Sequence, residues 1–190
     1  MSGDVLSIYG SPQRLGFSSS LHDMLLMPFR EAEVDIAVFN SHENKVLPCD
    51  ACLFCNDNNK CRHDDMSVLY QRLCSCSILT VSTPIYFSGV VSTLKAVIDR
   101  CQFLWNHKEA VKPKHALFIA AAGSDYSTAF QGALITMKHF FKTVNASFDE
   151  EDFILIKDTD KMKRLPDEIL GRARYIGEKY ALLNKQDYNS

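Results

Sequence analysis

Val5-Leu-Ser-Ile-Tyr9, followed by Gly10-Ser-Pro-Gln-Arg-Leu-Gly-Phe-Ser-Ser-Ser20 and then by Leu21, Leu25 and Leu26, is the stretch whose reading decides the fold. A short apolar run, a polar loop and apolar residues at helical spacing read as strand, turn and helix. The loop is built of small residues. Ser11, Gly16, Ser18 and Ser19, with Phe17 among them, bring backbone amides and hydroxyls to a helix start, which is a seat for a phosphate; Arg14 adds a positive charge. An ordinary serine-capped turn reads the same way. Neither GxGxxG nor GxxxxGK[ST] is present, so the dinucleotide fingerprint and the P-loop do not apply.

The strand-then-helix unit recurs outward from this stretch. Further strands are expected at 34–39, 78–82, 116–122 and 153–156, with helices at 64–74, from Val90 to Cys101, at about 127–144 and at 167–183. Five short strands, each followed by a helix, call for an α/β fold: a five-stranded parallel sheet in the flavodoxin-like order 2-1-3-4-5, with helices on both faces. Ligands then bind beyond the carboxyl ends of the strands, near the switch between the first and third. The serine-rich loop meets two others there. One is Thr83-Pro84-Ile85-Tyr86-Phe87-Ser88-Gly89, whose aromatic rings can stack on a flat ring system or anchor the loop in the core, the second reading suiting Phe87 better. The other is Gly123-Ser124, small enough for close approach of a ligand.

Between the second strand and the helix at 64–74 lies a long polar loop, about 41–63, containing Cys49-Asp-Ala-Cys52-Leu-Phe-Cys55-Asn-Asp-Asn-Asn-Lys-Cys61. A loop of that length in a compact domain usually carries function. Four thiolates crowded into one loop suit an iron–sulfur cluster or a tetrahedral zinc, soft sulfur selecting those over calcium or magnesium. A disulfide with two spare thiols, or four free cysteines, are the plainer alternatives. The polar link between Cys55 and Cys61 is turn-prone and can fold back to bring Cys61 towards the rest. His63 reads as a solvated loop residue, and Cys74 and Cys76 as small buried apolar groups.

With 190 residues, 46% of them apolar, the chain fits one domain, 1–190, with a sizeable core. A formal charge of −2 supplies no basic field for nucleic acid or an anionic membrane. No apolar run approaches the roughly 20 residues of a membrane span, and the first residues lack a basic leader. Seven cysteines in such a chain argue for reduced thiols and a cytoplasmic setting.

These residues together resemble the iron–sulfur flavoprotein family, a branch of the flavodoxin-like NAD(P)H-dependent FMN reductases, over roughly the first 125 residues. Gly10-Ser-Pro is similar to the opening of that family's phosphate loop. Cys49, Cys52, Cys55 and Cys61 match its compact cluster motif, and Thr83-Pro-Ile-Tyr-Phe with Leu94-Lys-Ala-Val-Ile-Asp-Arg100 its flavin-ring loop and following helix. The chain departs from the pattern at Gln13, where Arg is usual, and at Phe17-Ser18, in place of an Asn-Thr pair.

The resemblance implies FMN held by Ser11, Arg14, Gly16, Phe17, Ser18 and Ser19 at the phosphate, and by Thr83, Pro84, Ile85, Tyr86, Phe87, Gly123 and Ser124 around the ring. It further implies a [4Fe-4S] cluster on the four cysteines, fed by a ferredoxin-like donor or bypassed by NAD(P)H, with a small-molecule acceptor and a homodimer or homotetramer. The redox chemistry belongs to the cofactors, so no catalytic side chain is required. Phe103, Leu104 and Trp105 are the local hint of an apolar subunit contact. Two further readings stay open: a cluster-free NAD(P)H-dependent FMN or quinone reductase, and a zinc- or thiol-based sensor.

Overall fold

The computed structural model describes residues 5–106 and 111–189; the opening residues read above for a leader lie in part outside that range. Strand β1 (Val5–Tyr9) pairs in parallel with β2 (Ile36–Asn40) on one side and β3 (Ile78–Tyr86) on the other, and β3 pairs in parallel with β5 (Lys114–Ala122). The expected order 2-1-3-4-5 is borne out, the strand expected at 153–156 lying in parallel beside β5. The fifth strand is broken into β6 (Ala146–Ser147), which pairs with the start of β5, and β7 (Ile154–Ile156), which pairs with its end. Between the two pieces the chain leaves the ladder so that Phe148 and Phe153 can stack, with Phe153 edge-on to Phe118 of β5. A two-residue antiparallel strand, β4 (Gly89–Val90), turns back onto the end of β3.

Alternation along the strands divides the core. On β5, Leu117, Ile119 and Ala121 face one side, where α1 (Phe17–Glu31) and α7 (Asp167–Asn189) pack. Helix α7 approaches α1 at Gly177, where a Cβ would collide with the Leu25 carbonyl. Ala116, Phe118, Ala120 and Ala122 face the other side, with Leu69 and Leu73 of α3 (Ser67–Ser75), Leu94 and Val97 of α4 (Ser92–Arg100), Phe103 and Leu104 of α5 (Gln102–Asn106), and Met137 and Phe140 of α6 (Gln131–Thr143). Burying one such leucine or phenylalanine contributes about 2 kcal/mol. Phe103 and Leu104 are spent on this core, which corrects their reading as a subunit contact; Trp105 remains half exposed. The segment read as a polar loop at about 41–63 contains a short helix, α2 (Phe54–Asp57). No helix among the described residues is long and apolar enough to cross a membrane.

Pro84 sits in the central strand, a position that normally forbids it. The sheet explains why. Pairing between β1 and β3 ends at Tyr9 opposite Ser82, whereas pairing between β3 and β5 continues to Ile85 opposite Ala122. Ser82 accepts from the Gly10 N–H on the β1 side. Since strand residues two apart face the same neighbour, the N–H that proline lacks would also have pointed there, beyond the end of β1. The step left where β1 stops and β3 and β5 go on is where the cleft opens.

Candidate functional site

Three chain segments wall this cleft. The first is the turn from β1 to α1. Gly10 crosses so close to β3 that a Cβ would stand 2.9 Å from the Ser82 carbonyl. The Ser11 hydroxyl accepts from the Gln13 N–H at 3.1 Å, and the Ser19 hydroxyl donates to the Gln13 carbonyl at 2.9 Å, so the turn is tied into a fixed ring. Helix α1 then begins at Gly16 with no side-chain cap and no acidic residue in its first turn. Its amides and positive dipole end are left to an external anion.

Beneath this turn lies a buried polar web. The fully buried His22 ring reaches Ser82 Oγ through Nδ1 at 2.8 Å and Thr80 Oγ1 through Nε2 at 2.7 Å, and stacks on Tyr9. Burial, with Arg30 nearby, depresses its pKa to about 3, so the imidazole is neutral and donates from one nitrogen while accepting at the other. Tyr9 in turn donates to Asp23 at 2.8 Å. The web fixes α1 against β3 and so fixes the anion seat.

The second wall is the β3–β4 hairpin. Phe87 and Ser88 at its tip are both left-handed, with φ of 51° and 59°. That is the twist a two-residue hairpin favours, made here without glycine. The tip is held from behind by the Ala133 N–H, which donates to the Ser88 carbonyl at 2.8 Å. Phe87 is fully exposed and Tyr86 about half exposed. The reading of Phe87 as a core anchor is therefore corrected: the hairpin holds it outward as a free aromatic face.

The third wall combines Gly123 and Ser124 with a segment that sequence reasoning missed, Thr159 and Asp160. The Thr159 hydroxyl donates to the Ala122 carbonyl at 3.1 Å and the Asp160 N–H to the Gly123 carbonyl at 3.1 Å. Asp160 has its carboxylate against Gly123. The three walls enclose a cleft of about 550 Å³, of the size that takes a mononucleotide.

Ten residues expected around a cofactor line it: Ser11, Gly16, Phe17, Ser18, Pro84, Ile85, Tyr86, Phe87, Gly123 and Ser124. Three do not. Arg14 turns outward to an ion pair with Glu43 at 2.7 Å. Ser19 is occupied in closing the turn. Thr83 is buried behind it, donating to the Pro84 carbonyl and accepting from the Val91 N–H.

In the cysteine loop, Cys49 and Cys52 are exposed, Cys55 and Cys61 partly buried, and none is in a disulfide. Left-handed Ala51 and Leu53 wind the chain into α2. Asp50 accepts from the Cys52 N–H and pairs with Arg62 at 3.1 Å. Among the described residues, no three histidine, cysteine, aspartate or glutamate side chains are placed to share one metal ion. Burial raises the pKa of the Cys55 thiol, and Cys61, Cys49 and Cys52 add to the rise. By donor type, four free thiols in one loop, the set suits a thiolate-held centre, although the side chains are not gathered around one point. His63 lies 3.5 Å from Asp50.

Residues 4–150 match the sequence model of the NADPH-dependent FMN reductases. The chain belongs to this family. It is 35% identical over 101 residues to an iron–sulfur flavoprotein of Archaeoglobus fulgidus, covering 53% of this chain and 51% of that protein. It is 28% identical over 95 residues to an FMN-dependent NADH:quinone oxidoreductase of Hydrogenovibrio crunogenus, covering 46% and 47%. The chain thus matches about half the length of these relatives. An NAD(P)H:quinone oxidoreductase from Methanothermobacter marburgensis has the same fold, with a TM-score of 0.73 at 14% identity over 95% of this chain and 96% of that one. Within the family, the cleft is where a flavin is to be sought.

Proposed function

We propose that the chain is an FMN-dependent oxidoreductase that takes up electrons beside its cysteine loop and delivers them to a small oxidised acceptor. The observation that carries this reading is the cleft itself, which sets an uncapped helix start on one wall against an outward aromatic hairpin on the other. The first-turn amides of α1, with Ser11 and Ser18, bind the phosphate. Tyr86 and Phe87 lie against the ring, and Gly123 and Ser124 let its edge approach the end of β5. FMN, when bound, supplies both one-electron and hydride chemistry.

Cys49, Cys52, Cys55 and Cys61 would hold a [4Fe-4S] cluster, which supplies single-electron exchange with a ferredoxin-like donor. The similarity to an iron–sulfur flavoprotein supports this assignment. A second reading, in which NAD(P)H reduces the flavin directly and the cysteines hold nothing, is favoured by the similarity to a quinone oxidoreductase. The exposed Tyr86, Phe87 and Tyr126 around the cleft and its continuation support a homodimer or homotetramer that covers the flavin.

Anaerobic purification with flavin, iron and sulfide analysis tests all of this. FMN with iron and sulfide in equal amounts is expected. Flavin without metal, together with rapid oxidation of NAD(P)H, selects the second reading. Stoichiometric zinc points to a sensor, and folded protein that does not bind added FMN overturns the proposal.

A further inference from the structure

Arg100, the last residue of α4, is 2% exposed. Its guanidinium donates to the Leu47 carbonyl at 3.0 Å, to the His63 carbonyl at 3.3 Å, and to the two carboxylate oxygens of Asp65 at 2.5 and 3.2 Å. Leu47 lies just before Cys49, and His63 and Asp65 lie just after Cys61. One side chain therefore joins both stems of the cysteine loop. From the far side, the Tyr70 hydroxyl donates to the Arg100 carbonyl at 3.0 Å and holds the end of α4 in place.

The guanidinium has one donor left over. Its Nε–H is buried and has no partner among the described residues, a costly state for a cationic donor. Burial opposes the charge, but the neighbouring groups, Asp65 first among them, outweigh it, so the group stays cationic. Its fork geometry is one that lysine cannot reproduce.

We propose that Arg100 is the positioning residue of the cysteine loop, clasping its two stems and holding one N–H in reserve for the anionic sulfur centre that the loop carries. The clasp stands on the hydrogen bonds alone; the reserved donor rests on the cluster reading above. Through α4, which follows directly on the β3–β4 hairpin, the clasp also ties the loop to the wall of the flavin cleft.

The test uses the full chain with Arg100→Gln, Arg100→Lys and Asp65→Asn, followed by hydrogen exchange with mass spectrometry, iron and sulfide per flavin, and the midpoint potential of the metal centre. In R100Q, FMN stays at the parent stoichiometry while amides 47–65 exchange about tenfold faster or more. Iron per flavin falls by roughly half or more, as loss of an outer partner does at metal sites. The remaining centre shifts to a lower potential, because a positive charge beside it has gone. R100K keeps the charge without the fork, so it restores the potential but not the exchange protection.

Parent-like exchange in R100Q overturns the clasp, and a loosened loop with an unchanged potential overturns the reserved donor. Should R100Q lose flavin and fold together, D65N decides: faster exchange at 47–65 supports the clasp and parent-like exchange removes it. A parent protein without iron or sulfide defeats the cluster reading, while the exchange comparison still judges the clasp.

Discussion

The carboxylate of Asp160 stands against Gly123 so closely that a methyl group at 123 would lie 2.6 Å from Oδ2. Gly123 has no left-handed φ, so alanine is acceptable to the backbone and the strain falls on the exposed Asp160 side chain. Gly123→Ala is expected to cost the fold less than about 0.5 kcal/mol. It should weaken FMN binding about tenfold, since either the methyl or the displaced carboxylate takes room from the cleft. Asp160→Ala in the same chain should recover most of that loss. Fluorescence titration of the two single variants and the double variant measures the coupling; an equal tenfold loss in both backgrounds would show that the two residues are independent.

His22 makes the fold sensitive to acid. With a folded pKa near 3 against an ordinary 6.5, its contribution is fully present above pH 6.5 and is lost as pH falls towards 3. At about 1.4 kcal/mol for each pH unit, the effect reaches roughly 4 to 5 kcal/mol at the acid end. Urea unfolding at a series of pH values should show this slope in the parent protein. His22→Asn, which cannot charge, should be less stable at pH 7 yet flatter between pH 6.5 and 3. A slope as steep in the variant as in the parent would assign the acid sensitivity to other groups.

The hairpin tip and α6 constrain each other. A Cβ at Gly132 would stand 2.7 Å from the Ser88 carbonyl, a backbone atom that cannot swing aside. Gly132→Ala should destabilise by about 1 to 3 kcal/mol and displace Phe87 from the cleft. Ser88→Gly should do the reverse at the tip, relieving a left-handed residue for a gain of up to about 1 kcal/mol. Chemical denaturation compares the two, and a loss of stability in S88G would count against stored strain.

Cys52 is exposed, so Cys52→Ala should leave stability within about 0.5 kcal/mol of the parent. The loops that wall the cleft do not include it. FMN content is therefore expected to hold while iron and sulfide fall to background, and reduction by ferredoxin to fall with them. Activity with NAD(P)H that survives the change unaltered would mean that electrons need not pass the cysteine loop.

Much of this arrangement can be read from the chain. The runs at 5–9, 78–82 and 116–122 are rich in apolar residues because helices cover the sheet on both faces, and each is followed by small or polar residues where the cleft opens. Local pattern carries less where long-range geometry decides. Thr159 and Asp160 reach the cleft only because β7 lies beside β5, and no motif marks them; a polar turn directly after the last strand was the available signal. The exposure of Phe87 depends on a left-handed turn that its residues do not advertise, since neither is glycine or asparagine. Arg14 looked like an anion ligand by charge alone, but Glu43, distant in sequence, draws it away.

The step beside Pro84 has a kinetic consequence. Because β1 ends early while β3 and β5 run on, the hollow is made by the ladder itself, and no strand has to unfold before a ligand enters. Association with FMN should then follow a single second-order phase whose rate rises linearly with concentration and shows no plateau from a slow opening step.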